Sequence, residues 1–183
     1  MRIVDRMIRK KNRWSRIEIK VNSIADKVGR GIDNGIKESI IVLQVLGFVT
    51  RASCEGHADR GPAAPWISIG EKVPREILIR KRESIGILND DDAEKIRFVT
   101  KKNLKGQIRL MQFLDEFYEE RKVSYDVRLI LEEFGIYGNS WLKSAGEIFQ
   151  KIRTKERKEK KLKRYQREMK DFTEFIKKKY FIA

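Results

Sequence analysis

The sequence predicts an α+β fold, a small sheet packed with helices and followed by a long basic C-terminal helical extension. Three observations carry that expectation. Short β-type runs flank a connection rich in Gly and Pro, longer segments repeat apolar residues at helical spacing, and the C-terminal part sets a sparse apolar stripe in a highly charged background. A hydrophobic content of 40% over 183 residues can fill a real core, and that length suits one domain with an extension better than two domains.

Taken in order, Arg16 to Val21 alternates Ile17, Ile19 and Val21 against Arg16, Glu18 and Lys20, the pattern of a half-buried strand. Asn22 or Ser23 can cap a following helix, with Asp26 at the capping-box position three residues after Ser23. Ile32, Ile36, Ile40, Leu43 and Leu46 then recur at helical spacing, and Gly47 suits the residue just past the helix end. Phe48 to Ser53 and Trp66 to Ile69 read as strands, with Gly56, Gly61, Pro62 and Pro65 breaking the chain between them.

The second half reads as mainly helical. Asn89 to Asp92 places carboxylates where a helix N-terminus favours them, and Ile108, Met111, Leu114, Phe117 and Tyr118 mark an apolar face. Val127 to Phe134 is a further helical candidate, followed by a loop at Gly135, Gly138 and Asn139 and by helical pattern from Ser140 onward. Leu162, Tyr165, Met169, Phe172 and Ile176 step by three and four, a stripe that packs on the core or on a second copy in a homodimer through the C-terminal helix. The expected division is a basic arm at 1–13, an α+β domain at 14–135, and a helical extension at 136–183 with its basic segment at 153–170.

Charge is concentrated at the two ends. The chain carries +15 in total, of which residues 1–20 hold +6 and residues 153–170 hold +7, so that 21–152 is nearly neutral at +1. Two basic arms flanking a neutral core suit a polyanion, nucleic acid above all, with RNA favoured; solubilising helices would show the same composition. A single cysteine excludes an intramolecular disulfide. No apolar run approaches the roughly 18 residues of a membrane span, and Met1 to Lys20 is too charged for a secretory core. The expectation is a soluble cytoplasmic protein without a membrane partner.

The candidate site is Ser53-Cys54-Glu55-Gly56-His57, which holds the only cysteine and the only histidine of the chain, with Asp59 and Arg60 just beyond. His57 can act as general acid/base or draw the proton from Cys54, and Glu55 or Asp59 can orient the imidazole. Cys54, Glu55, His57 and Asp59 are therefore the candidate catalytic residues. Thr50, Arg51, Ser53, Gly56, Arg60 and Trp66 are candidate ligand-binding residues, the arginines for phosphate or carboxylate, Gly56 for close backbone approach, and Trp66 for stacking or for the core. A buried inert cysteine beside a strand-end histidine fits the same residues.

Cys54, His57 and Asp59 offer Zn²⁺ three ligands, but a structural zinc site asks for four Cys or His and the chain has two, so no metal is assigned. Gly29 to Gly35 lacks the Gly-x-Gly-x-x-Gly spacing of a dinucleotide loop, and Asp90 to Asp92 fits helix-dipole complementarity better than Mg²⁺. Asp33 and Asn34 precede the helix that leads into the motif strand, which can bring them close to the motif loop.

Thr50 to His57 resembles the Thr-x-Ser-Ser-Cys-Ser-Gly-Arg stretch of the wybutosine-synthesis tRNA methyltransferase family. Thr50, Ser53, Cys54 and Gly56 match; Ala52, Glu55 and His57 stand where that family has Ser, Ser and Arg. The resemblance implies tRNA modification with S-adenosylmethionine on an unusual mixed fold. A longer similarity is to an uncharacterised prokaryotic and phage family with a Ser-Cys-Glu-Gly-His motif, carried here by Gly47, Thr50, Ser53 to His57, Pro65 and Trp66, and extending to Phe117-Tyr118 and the Phe172 to Tyr180 tail. It implies no particular reaction.

The sequence thus points to a nucleic-acid-associated protein with a ligand or catalytic site at Ser53 to His57, RNA modification being one use of it. A non-enzymatic binding module with a structural loop, and a nucleotide or small-molecule enzyme, explain part of the same pattern.

Overall fold

The computed structural model describes residues 2–61, 63–84, 86–147 and 154–182. Among these, helices α1 (Arg2–Asn22), α2 (Asn34–Val45), α3 (Arg75–Glu83), α4 (Asp90–Tyr118) and α5 (Lys155–Ile182) surround strands β1 (Thr50–Cys54), β2 (Trp66–Ile69), β3 (Leu129–Phe134) and β4 (Asn139–Ser144). The strands form one antiparallel sheet in the order β1-β2-β4-β3. The fold is α+β, as expected, and it ends in the long basic helix.

Three local readings differ from the expectation. Arg16 to Val21 belongs to α1 and not to a strand. Trp14, Ile17 and Val21 lie three and four apart, so a helix turns all three inward, whereas Ile19, which the alternating pattern had placed with them, is 71% exposed. Ser23 closes a turn by donating to the Lys20 carbonyl at 2.8 Å, and Asp26 accepts from Val28 N and Arg30 N at 2.9 and 2.8 Å, so these residues cap turns before α2 rather than a helix.

Leu129–Phe134 and Asn139–Ser144 form the hairpin β3–β4 and not helices, so the boundary expected at 135/136 falls between paired strands; of the helical run expected from Ser140, the part in α5 is helical and residues 148–153 lie outside the described residues. The register explains why. Ile67, Leu142 and Leu131 stand opposite one another across three strands, and Ile67 and Leu142 lie in the core with Leu131 packed against them. The Tyr118 hydroxyl, near the end of α4, accepts the Leu129 N–H at 2.7 Å and fixes where β3 begins. Leu and Glu are good helix formers, but tertiary pairing decides here.

The closure expected for α2 and the acidic start expected for α4 are present as read, whereas of the apolar face expected on α4, Ile108 and Met111 are exposed. Phe48 N donates to Leu43 O and Gly47 N to Gln44 O, each at 2.9 Å, which is the Schellman closure of α2 with Gly47 at φ +87°. Asn89 caps α4 by accepting from Asp92 N at 2.8 Å, and the buried Asp92 carboxylate takes both an Nε and an Nη donor of Arg80 at 2.7 Å. The acidic run is therefore a helix start held to α3, and nothing in it gathers carboxylates around one point.

The core is closed by α5. Its stripe Leu162, Tyr165, Met169, Phe172 and Ile176 is buried within the chain, so of the two expected partners, the core or a second copy, it packs on the core. Phe172 and Phe175 both contact Phe117, at 5.2 and 5.4 Å between ring centres. Ser39 of α2 and Thr173 of α5 meet at 2.7 Å, and Thr173 donates onward to the Met169 carbonyl, which satisfies the buried hydroxyls. The far end of α5 holds α1, where Trp14 packs on Phe181 at 5.5 Å and the Tyr180 hydroxyl donates to the Lys10 carbonyl at 3.0 Å. The basic arm expected at 1–13 is thus, from Arg2 on, part of a docked helix. Among the described residues no helix is long and apolar enough to cross a membrane.

Urea denaturation should separate these environments. Phe172→Ala, at 1% exposure, is expected to cost about 3–5 kcal/mol. Ile19→Ala should stay within about 0.5 kcal/mol of the native chain, and a loss of several kcal/mol there would contradict the helical face of α1.

Candidate functional site

The motif loop leaves the edge strand β1 and is shaped by Gly56. This residue is buried at φ +80°, and a Cβ there would lie 2.7 Å from both the Ala64 carbonyl carbon and Leu162 Cδ1. Only glycine fits, because the position is left-handed and the chain segment before β2 packs directly on it. Gly56 therefore shapes the turn and is not a ligand contact through open space. Its N–H donates to Cys54 Sγ at 3.3 Å, which orients the sulfur.

Asp33 and Glu55 exchange the tasks that their positions suggest. Asp33 stands at the N-cap of α2 but makes no side-chain cap bond. Glu55 caps that helix from the motif loop, accepting the Gly35 N–H at 2.7 Å. Asp33 reaches back to accept the Glu55 N–H at 3.2 Å, and its Oδ2 lies 3.6 Å from His57 Nε2. The carboxylate that lies beside the imidazole is thus Asp33, where Glu55 or Asp59 was expected. Glu55 is committed to a helix end, and Asp59 is exposed.

Asp33, Cys54 and His57 bring one ligand atom each within 4.8 Å of one another. All three are partly buried, and among the described residues this is the one such group of His, Cys and acidic side chains. Burial raises the Cys54 thiol above its ordinary range, the neighbouring Asp33 and Glu55 carboxylates add to the rise, and the Gly56 N–H offsets part of it. A thiol raised in this way is less available as a thiolate nucleophile.

A cleft of about 450 Å³ adjoins the cluster and shares Asp33 with it. It lies between the turn before α2 and β1, and its polar lining includes Arg30, Gln44, Thr50, Arg51, Ser53 and Arg60. Four of the expected ligand-binding residues thus meet in one cleft. Thr50 accepts from Gln44 Nε2 at 2.9 Å, and Arg51 donates to Asn139 Oδ1 at 3.1 Å. Trp66 lies elsewhere: it pairs with Cys54 across β1–β2, on the sheet face opposite Ile67, and is not part of the core. Its indole contacts Trp141 at 6.4 Å, and Trp141 stacks on Phe134 at 4.6 Å, all three half-buried.

Sequence reading missed Arg30, Gln44, Phe134 and Trp141. Gln44 lies in the last turn of a helix read only for its apolar residues, and Trp141 was hidden by the helical reading of β4, although Ser140, Leu142 and Ser144 alternate with it. Comparison with protein-family models, with curated proteins and with solved structures finds no match for the chain. The residues themselves carry the functional reading.

The Cys54 environment can be read by alkylation. The iodoacetamide rate at pH 8 should be lower in the folded chain than in urea. In Asp33→Asn its pH midpoint should move down, because one nearby negative charge is removed. An unchanged midpoint would mean that Asp33 does not act on the sulfur.

Proposed function

We propose that this chain is a cytoplasmic nucleic-acid-binding protein, with RNA as its favoured ligand and a reactive centre at Asp33, Cys54 and His57. The observation that carries the reading is where the basic segment of α5 sits. Leu162 packs against Gly56, and Gln166 Nε2 donates to the Glu55 carbonyl at 3.0 Å, so the +7 segment is anchored on the motif loop itself. Lys163, Arg167 and Lys170 are exposed beside those anchors and fall on one helical face. A phosphate backbone held along them lies on the helix that packs against the motif loop.

The cleft volume lies within the range of small-ligand sites and matches a nucleotide-sized group held by Arg30 and Arg60. Trp66, Trp141 and Phe134 add half-buried aromatic surface on the sheet face to which Cys54 belongs, the type of surface on which bases stack. RNA modification is supported by the motif resemblance at Thr50, Ser53, Cys54 and Gly56. Glu55 and His57, where the motif departs from the methyltransferases, are the residues engaged with Gly35 and Asp33. S-adenosylmethionine is accordingly a ligand to test and not an assigned cofactor.

Fluorescence anisotropy with a short single-stranded RNA over a salt series tests this reading. Affinity should fall steeply with salt. Replacing Lys163, Arg167 and Lys170 together by Gln should flatten the slope of log K against log salt by about 2, at about 0.7 per lost phosphate contact. A triple variant that binds as tightly as the native chain, with the same slope, would overturn it.

A further inference from the structure

We propose that Asp33, Cys54 and His57 form a mononuclear site for a divalent transition metal of the zinc type, with three protein ligands and a fourth position for water or substrate. The proposal concerns the reactive centre of the preceding section, but its test uses no nucleic acid, so the two can fail separately.

The geometry points to a metal on three counts. First, a thiol sulfur, an imidazole nitrogen and a carboxylate oxygen are each accepted ligands of zinc, and three protein ligands with one open position is the composition of its catalytic sites. Second, ligand atoms about 2.0–2.3 Å from a tetrahedral zinc lie about 3.3–3.6 Å from one another. His57 Nε2 and Asp33 Oδ2 are 3.6 Å apart, and the whole set falls within 4.8 Å, so small side-chain rotations close the shell.

Third, each ligand on the backbone side is already held from behind. The Gly56 N–H points at Cys54 Sγ, and the Glu55 N–H points at the Asp33 oxygen that faces His57. Backbone donors to the ligand atoms are the outer contacts by which metal sites orient their first ligands. The two contributing segments are joined independently by the Glu55–Gly35 bond, which holds the α2 N-terminus to the loop without using any of the three ligand atoms.

The arrangement also accounts for the identity of the third ligand. Asp59, nearer in sequence to His57, is exposed, whereas Asp33 is freed for the role because Glu55 caps α2 in its place. The adjoining cleft, which Arg30 and Arg60 also line and where they can receive an anionic group, shares Asp33 with the cluster. A metal there would act as Lewis acid on a phosphoryl or carbonyl oxygen, or on a bound water.

The full-length chain, freed of metal by chelator and dialysis, is titrated with Co²⁺ and followed by absorption. One equivalent should bind, giving the near-ultraviolet charge-transfer band of a cobalt–thiolate and the visible bands of a four-coordinate ion, all displaced by Zn²⁺. Cys54→Ser should lose the charge-transfer band. Asp33→Asn and His57→Gln, checked for folding by circular dichroism, should weaken Co²⁺ binding by more than the about 10–100-fold that loss of an outer contact costs. If the folded native chain takes up no Co²⁺, or if Cys54→Ser and Asp33→Asn bind it as the native chain does, the proposal is overturned.

Discussion

The burial of one side of α5 organises the molecule, because that single helix closes the core and holds both ends of the chain. Met169, Phe172 and Ile176 complete the cluster built by Ile36, Leu43, Leu110, Ile67 and Leu142. Toward the C-terminus, Tyr180 and Phe181 seat α1 through Trp14 and Lys10. Toward the N-terminus, Tyr165 packs with Ala64 and Val127, and Leu162 lies over Gly56. The segment with the highest charge density is therefore also a structural wall. Its apolar side supports the loop while its exposed side offers Lys and Arg, a division that the helical period makes possible.

At the loop, two carboxylates occupy crossed positions. A helix N-terminus attracts an acidic partner, and the nearest in sequence is Asp33. Because Glu55 satisfies that end from the opposite side, Asp33 can turn to His57 and Cys54. The crossing fastens the lead-in to α2 to the end of β1 and sets three chemically different donors around one point. Burial, with the two carboxylates adding to it, raises the Cys54 thiol and so disfavours its thiolate form. The same three donors lie within 4.8 Å of one another, and Arg30 and Arg60 line the cleft that shares Asp33 with them.

The sheet shows how much a neighbour can alter a local preference. Strand β3 contains Leu129, Leu131, Glu132 and Glu133, residues that are at home in helices, and yet it pairs along its full length with β4. Pairing sends Leu129, Leu131 and Leu142 to the core, and Glu132, Phe134, Trp141 and Lys143 to the other face, where Lys143 joins Glu132 and Glu147 (3.3 Å to the latter). Helical spacing would have scattered these groups around a cylinder. The aromatic row that follows from the pairing has no counterpart in the linear pattern.

Local chemistry made much of this protein legible in its sequence. The α2 helix and its Gly47 closure, β1, β2, the Asn89 cap of α4, and the inward stripe of α5 all follow from periodicity and capping that operate within a few residues. The Cys54–His57 run is also visible as a candidate site from sequence alone, since unique side chains in a glycine turn stand out wherever they fold. Tertiary structure decided the rest. It made Arg16 to Val21 helical, because Trp14 and Val21 could be buried together only on a helix face. It paired β3 with β4, because Leu131 and Leu142 met across the sheet. It also chose Asp33 over Asp59 and Glu55 as the partner of His57, since that choice depends on which N–H groups a folded helix end presents to a loop about twenty residues away, and no spacing rule along the chain carries that information.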